Sequence, residues 1–336
     1  MENSSKNTAD SFKTLSVVFI LFNEEEVLPI LIKRTRAALG TLINQGILSD
    51  YELIFVNDAS KDNSLKVLLS EAQGHKDIRI LNMSRRFGMV PSQMAGFAYA
   101  RGDMVAYMDA DLQDPPELLS KLIGVMQQKK VDVVHTVRES RKGETVFKLW
   151  ITAFGYWLLN KASSINLPKE CGDFKLMSRR MVKHILNMRE HRPFIRGLIC
   201  WVGFKQEFVT YVREPRLAGK TKCFVLGPVV ISNFLDSALI SFSSAPLRVA
   251  YFFGFVAFFV NICLVVHVFY EKFAGRALPG WTALMMVILF FNAVELFCMG
   301  ILGLYVHSIY EETKQRPHYI VESSFGFSEE ELKPTI

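Results

Sequence analysis

From residue 12 to about residue 137 the chain alternates short apolar runs with longer stretches in which apolar residues recur every three or four positions. The runs are Leu15–Phe22, Tyr51–Val56, Ile78–Met83, Met104–Met108 and Val131–Val137. They are rich in β-branched residues and do not alternate with polar ones, the pattern of strands buried on both faces. Between them lie helical patterns: Leu28, Leu31, Ile32, Thr35 and Leu39, then Ser64–Ala72, Pro91–Ala100 and Glu117–Gln128. Strand and helix in strict turn predict βαβ units and one doubly wound, parallel α/β sheet. No GxGxxG follows a strand, so the dinucleotide fingerprint of hydride-transfer enzymes is absent.

Beyond residue 140 the alternation stops. Val146–Leu159 reads as an interfacial or buried helix, too short to cross a bilayer. Cys171–Lys175 reads as a turn carrying Asp173, and Arg213–Lys222 as a basic loop with Gly and Pro. Phe224–Phe242 is apolar but interrupted by Pro228, Asn233 and Asp236, which predicts a helix lying in the membrane plane. Leu247–Tyr270 and Trp281–Val306 are long and apolar enough to span, giving a C-terminal two-helix hairpin. Lys and Arg flank the hairpin on both outer sides, a weak bias that places both ends in the cytoplasm. Glu295, in the middle of the second span, is expected at a contact or pathway rather than in a catalytic site. The resulting division is a disordered 1–12, a cytosolic catalytic domain over 13–215, a basic loop and interfacial helix over 216–245, two spans over 246–306 and a cytosolic tail over 307–336.

Composition narrows the picture. Half of the 336 residues are hydrophobic while 21% are charged, so a water-soluble portion accompanies the membrane portion. The net charge of +6 fits a phosphate-bearing partner. The basic residues are not interleaved with aromatics on one soluble face, which argues against nucleic acid. Five cysteines without a CxxC pair or a His cluster exclude a zinc site or disulfide framework. The polar start, MENSSKNTAD, has no apolar core of a signal peptide, so the first domain is expected in the cytoplasm.

The candidate chemistry lies at the ends of the predicted strands. Met104–Met108 runs into Asp109-Ala110-Asp111, then Gln113, Asp114 and Pro115-Pro116-Glu117. The prolines stop the strand and open the next helix. Three carboxylates so close repel one another unless a cation sits between them. Asp109 and Asp111, two apart, offer hard oxygens to Mg²⁺ or Mn²⁺, ions that usually hold substrate phosphates as well. An isolated DxD is more often a solvated acidic turn. Here Asn23-Glu24, Asn57-Asp58 and Arg85-Arg86-Phe87-Gly88 fall at the same edge of the sheet, where open α/β sheets bind ligands.

With these phrases, and with GDFKLMSR (Gly172–Arg179), FIRGLICWVGF (Phe194–Phe204), REPRLAGKTK (Arg213–Lys222) and YEETKQRPHYIV (Tyr310–Val321) in order, the sequence resembles the family 2 glycosyltransferases of GT-A fold. More narrowly it resembles the bacterial polyprenyl-phosphate glycosyltransferases, relatives of dolichyl-phosphate mannose synthase, of bactoprenol glucosyltransferase type. The resemblance implies a Rossmann-like sheet with interfacial helices and inverting transfer from a nucleotide-sugar, a UDP-hexose such as UDP-glucose, to undecaprenyl phosphate. It implies a multi-pass inner-membrane location and a homo-oligomer, a tetramer. Asn23, Glu24, Asp58, Arg86 and Asp109 would bind the nucleotide, and Asp109 and Asp111 the metal. Gln113 and Asp114 would meet the donor sugar, and Asp173 would be a base or a sugar anchor. Arg138, Arg141, Arg213, Arg216, Lys220 and Lys222 would surround the diphosphate and the lipid phosphate. The chain departs from the family at Ile20, Phe22, Ala59, Met89 and Leu304; the usual residue at Ala59 is Gly, and at Phe22 Tyr. A processive polysaccharide synthase would need more spans and a QxxRW motif, and Trp201 has no QxxR before it. A catalytically inactive membrane partner is the other alternative; Asp109, Asp111 and Asp173 argue against it.

Overall fold

The computed structural model describes residues 12–138, 171–188, 190, 193–214, 245–274, 280–329 and 331. These fall into two compact units, one built on a sheet and one on two long helices. The predicted helices at Val146–Leu159 and Phe224–Phe242 lie outside the described residues, as do Arg141, Arg216, Lys220 and Lys222.

The strands of the first unit are β1 (Thr14–Leu21), β2 (Asp50–Asn57), β3 (Ile78–Met83), β4 (Met104–Asp109), β5 (Val133–Arg138), β6 (Cys171–Ser178), β7 (Gln206–Tyr211) and β8 (Val321–Phe325). They form one sheet in the order β7-β5-β6-β4-β1-β2-β3-β8. The parallel core β4-β1-β2-β3 is as the apolar runs predict. The all-parallel expectation fails at two places. β6 enters between β4 and β5 antiparallel to both, and β8, from the C-terminal tail, adds antiparallel to β3. Cys171–Lys175 is therefore strand, not turn.

Both faces of the central strands are covered by helices, which is why β1, β2 and β4 are mostly apolar and buried. Phe19 and Phe55 stack at 5.0 Å under α1 (Leu28–Asn44), with α2 (Ser64–Gly74) and α4 (Leu118–Lys129) on the same core. Val18, Ile54 and Tyr107 face α3 (Met89–Tyr99), α5 (Arg179–Leu186) and α6 (Ile195–Val202). α3 lies so close to β1 that a Cβ on Gly96 would stand 2.2 Å from Val18 Cγ1. Pro29 fits the first turn of α1, where no amide hydrogen is needed.

The second unit holds α7 (Ala245–Phe273) and α8 (Trp281–Thr313). Cys298 Sγ lies 3.3 Å from the Ala250 carbonyl, and the Phe253 and Phe297 rings meet edge to face. Within α8 the stretch Val287–Thr313 is long and apolar enough to cross a membrane, a window set later than the predicted Trp281–Val306. In α7 the apolar stretch found is the shorter Phe252–Leu264.

Candidate active site

The carboxyl ends of β1, β2 and β4 each open into a short polar loop, and the loops are stitched together. After β1, Asn23 takes a left-handed backbone (φ 57°) and its side-chain oxygen accepts from Lys61 N at 2.7 Å. Ser60 Oγ and Ser64 Oγ in turn accept from Asn23 N and Glu24 N, both at 2.9 Å. Asp58, buried at the end of β2, accepts from Phe87 N at 2.7 Å and Gly88 N at 3.0 Å. One carboxylate thus fixes the Ser84–Gly88 loop, and Gly88 supplies the positive φ (97°) that its entry into α3 needs. Arg86, exposed on that loop, lies over the Phe22 ring at 4.0 Å. The aromatic face at position 22, whatever its hydroxyl, is what this contact uses.

β4 ends at Asp109, and the turn that follows is tight. Leu112, fully buried, is held at φ 56°, an unfavourable conformation for a bulky residue. It lets Asp111 Oδ1 accept from Gln113 N at 3.2 Å and turns Asp114 inwards. Tyr107, two residues before Asp109 on the same face, donates to Asp109 Oδ1 at 3.0 Å. In the β4–β6 register Tyr107 pairs with Lys175, so two further residues along each strand Asp109 stands opposite Asp173. Burial, then the carboxylates of Asp173, Asp111 and Asp114, push half-buried Asp109 up to about 7 against the Tyr107 hydrogen bond.

The other carboxylates have partners. Arg196, from α6, forks onto Asp173, Nε to Oδ1 at 2.9 Å and the second nitrogen to Oδ2 at 2.6 Å. Burial raises Asp173, but Arg196, with Lys175 and Arg138, outweighs it and holds the group below the usual carboxylate range. Asp114 accepts from the Tyr211 hydroxyl at the end of β7, and Arg213 Nε lies 3.8 Å from it. Burial and Asp111 still leave Asp114 raised against Tyr211, Arg213 and Arg138. Arg138, at the end of β5, donates to Tyr211.

The structure therefore brings Asp109, Asp111, Asp114, Asp173, Arg138 and Arg213 to one edge, beside the loops of Asn23, Glu24, Asp58 and Arg86. Arg196 and Tyr211 complete the set and carried no role in the sequence reading. Arg196 lies within the FIRG phrase, but its significance depends on a carboxylate 23 residues away. A divalent cation fits this donor set: hard carboxylate oxygens at Asp109 and Asp111, on a residue whose charge its neighbours oppose. Among the described residues no three His, Cys, Asp or Glu side chains form a closed cage. The protein would supply two carboxylates, and substrate oxygens and water the remaining ligands.

The chain belongs to glycosyl transferase family 2, whose model matches residues 16–186, and it is a glycosyltransferase with a GT-A-like mixed sheet. Among its relatives, the uncharacterized glycosyltransferase YkcC of Bacillus subtilis (strain 168) is 38% identical over 318 residues, 94% of this chain and 96% of that protein. The prophage bactoprenol glucosyl transferase homolog of Escherichia coli (strain K12) is 34% identical, covering 92% of this chain and 98% of its own length. The bactoprenol glucosyl transferase of Shigella phage SfX is 33% identical, covering 92% and 99%.

Proposed function

We propose that this protein transfers a hexose, with inversion, from a UDP-sugar such as UDP-glucose to undecaprenyl phosphate at the cytosolic face of the inner membrane. The observation that carries the reading is the gathering of Asp109, Asp111, Asp114 and Asp173 beside Arg138 and Arg213. Relatives named for bactoprenol glucosyl transfer, matched over nearly their whole length, support the lipid acceptor. The apolar helices α7 and α8 support a membrane hairpin, with the sheet domain on the cytosolic side. A homo-oligomer, a tetramer, is the assembly the family resemblance favours.

Asp109 and Asp111 would hold Mg²⁺ or Mn²⁺, which when bound neutralises a diphosphate leaving group. The remaining work falls to side chains. Asn23, Glu24, Asp58 and Arg86 form the loops that take the base and ribose. Gln113 and Asp114 face the sugar. Arg138 and Arg213, with Arg141, Arg216, Lys220 and Lys222 beyond the described segments, bind phosphate oxygens of donor and lipid. A lipid phosphate is already ionised at neutral pH, so it needs positioning more than a base. Asp173, held anionic by the Arg196 fork, suits a sugar-hydroxyl anchor better than a proton acceptor. The phosphate attacks the face opposite the departing diphosphate, which inverts the anomeric carbon.

The test is direct. Purified protein, undecaprenyl phosphate and a panel of UDP- and GDP-sugars are incubated with and without Mn²⁺. A single glycolipid, formed from a UDP-hexose and only with the metal, is expected. No lipid-linked sugar from any donor would overturn the reading.

A further inference from the structure

Arg34 lies on α1, on no motif, and makes four hydrogen bonds to two carboxylates. Its Nε and a terminal nitrogen meet Glu117 at 3.0 and 2.8 Å. Its terminal nitrogens meet Glu214 at 2.9 and 3.1 Å. Glu117 closes the DLQDPPE turn, and Glu214 follows Arg213 on the segment leaving β7. That segment touches the same turn three times more: Glu214 N donates to Gln113 O at 3.0 Å, Tyr211 donates to Asp114, and Arg213 Nε lies 3.8 Å from Asp114. Four links thus bolt the beginning of the basic segment to the turn that carries Asp111, Gln113 and Asp114.

We propose that Arg34 is a positioning residue for sugar transfer: one guanidinium draws Glu117 and Glu214 together and so fixes Arg213 against the donor-side turn. Two physical arguments support it. The Arg34 side chain is 28% exposed, Glu117 53% and Glu214 39%, and ion pairs so open to water add little to fold stability. Without the guanidinium, two carboxylates confront each other across the same contact, and repulsion pushes the Arg213 segment off the turn. The planar fork is also specific, because an ammonium cannot satisfy both carboxylates in that geometry.

The inference rests on reading the site as a sugar-transfer site, so the experiment separates the two. Full-length wild type, Asp111→Ala, Arg34→Met, Arg34→Lys and Arg34→Met/Glu214→Gln are assayed for glycolipid formation, with Tm measured alongside. The expected result is a fall of about tenfold or more in kcat/KM for the lipid phosphate in Arg34→Met. Tm should stay within about 3 °C of wild type. Arg34→Lys should fall in between, and the double variant should recover several-fold, because it removes the repulsion. Arg34→Met activity within twofold of wild type, or a loss that the double variant does not relieve, overturns the proposal. Full activity in Asp111→Ala would instead overturn the site reading itself.

Discussion

The two ends of the central sheet are both lined with charge, and they handle it in opposite ways. At the amino end, Glu52 is buried beside the Arg79 guanidinium at 2.8 Å, and its Oε1 accepts from Arg101 N at 2.7 Å and the Ser16 hydroxyl. Glu331, from the tail beyond β8, receives Arg79 at 3.0 Å. Asp103 accepts from Thr14 Oγ1 at 2.8 Å and from the amides of Lys13 and Thr14. At the carboxyl end, Asp109 is raised first by burial and then by three other carboxylates. A fold that matches its buried charges elsewhere and leaves one carboxylate opposed at the ligand edge of the sheet is the arrangement expected where a ligand supplies the missing charge. At the carboxyl end Asp173 and Asp114 are matched by Arg196 and Tyr211, so the opposition is concentrated on Asp109.

The sharpest way to break that comparison is to delete one carboxylate from each end. Asp111→Ala should lower turnover by about a thousandfold or more, the scale of losing electrostatic stabilisation of the departing group, while Tm holds or rises because a like charge is gone. Glu52→Ala should do the reverse. It takes one carboxylate from Arg79, which keeps Glu331, and one acceptor from the Arg101 amide, which keeps Ser16 Oγ, a loss of about 2 kcal/mol, with kcat of the folded fraction unchanged. Matched effects of the two variants on activity and Tm would dissolve the distinction between the ends.

Cation titration comes next in size. Mn²⁺ at about a hundred times its Kd should stabilise the protein by about 2.7 kcal/mol, read as a Tm rise that EDTA reverses. Asp111→Ala should lose this rise, and Glu52→Ala should keep it. Stabilisation by Mn²⁺ that survives Asp111→Ala would move the cation away from this turn.

A third test concerns a buried imidazole on β5. His135 on β5 is buried, accepts or donates at 2.8 Å with Gln206 and stacks on Phe208. Burial, with the charge of Lys175, lowers it to about 4. Its folded value lies below the unfolded value of about 6.5. The unfolded chain therefore binds the extra proton between those values, and stability present above pH 6.5 is lost as pH falls towards 4. At about 1.4 kcal/mol per unit, the loss approaches about 3 kcal/mol. Asp109, raised to about 7, contributes a slope of opposite sign over the same window, so the His135 contribution is read as the difference between wild type and His135→Gln in urea titrations across pH 4–7; an equal pH dependence in both would remove His135 as a contributor.

Much of this was legible in the chain. The first five strands and the acidic turn follow from apolar runs ended by Pro, Gly or carboxylates, because a parallel sheet buried on both faces leaves its strands few polar positions. β6 was hidden for the same reason inverted. Its half-buried Asp173 and buried Lys175 make CGDFK look like a turn, and Asp173 is made tolerable there by Arg196, which only the tertiary fold supplies. β8 is a short, polar edge strand whose pairing with β3 spans more than 230 residues, and nothing local announces it. Tyr211 and Arg34 act through partners distant in sequence, so their spacing carried no signal.

Ala59 offers the smallest and most local test. The family resemblance marks this position as usually Gly, and the structure gives the reason: φ is 53°, in the left-handed region, at the turn between Asp58 and Ser60. A Cβ in that region costs about 1 kcal/mol, whereas Gly costs roughly 0.5–1 kcal/mol in backbone entropy. The two nearly cancel, so Ala59→Gly should change stability by less than about 1 kcal/mol, on the stabilising side. Asp58 still anchors Phe87 N and Gly88 N, and the donor loops keep their stitching through Ser60 and Lys61. KM for the sugar nucleotide should therefore stay within about twofold. A larger rise in KM would mean that the stiffness of residue 59, rather than the carboxylate of residue 58, holds the base-binding loops in register.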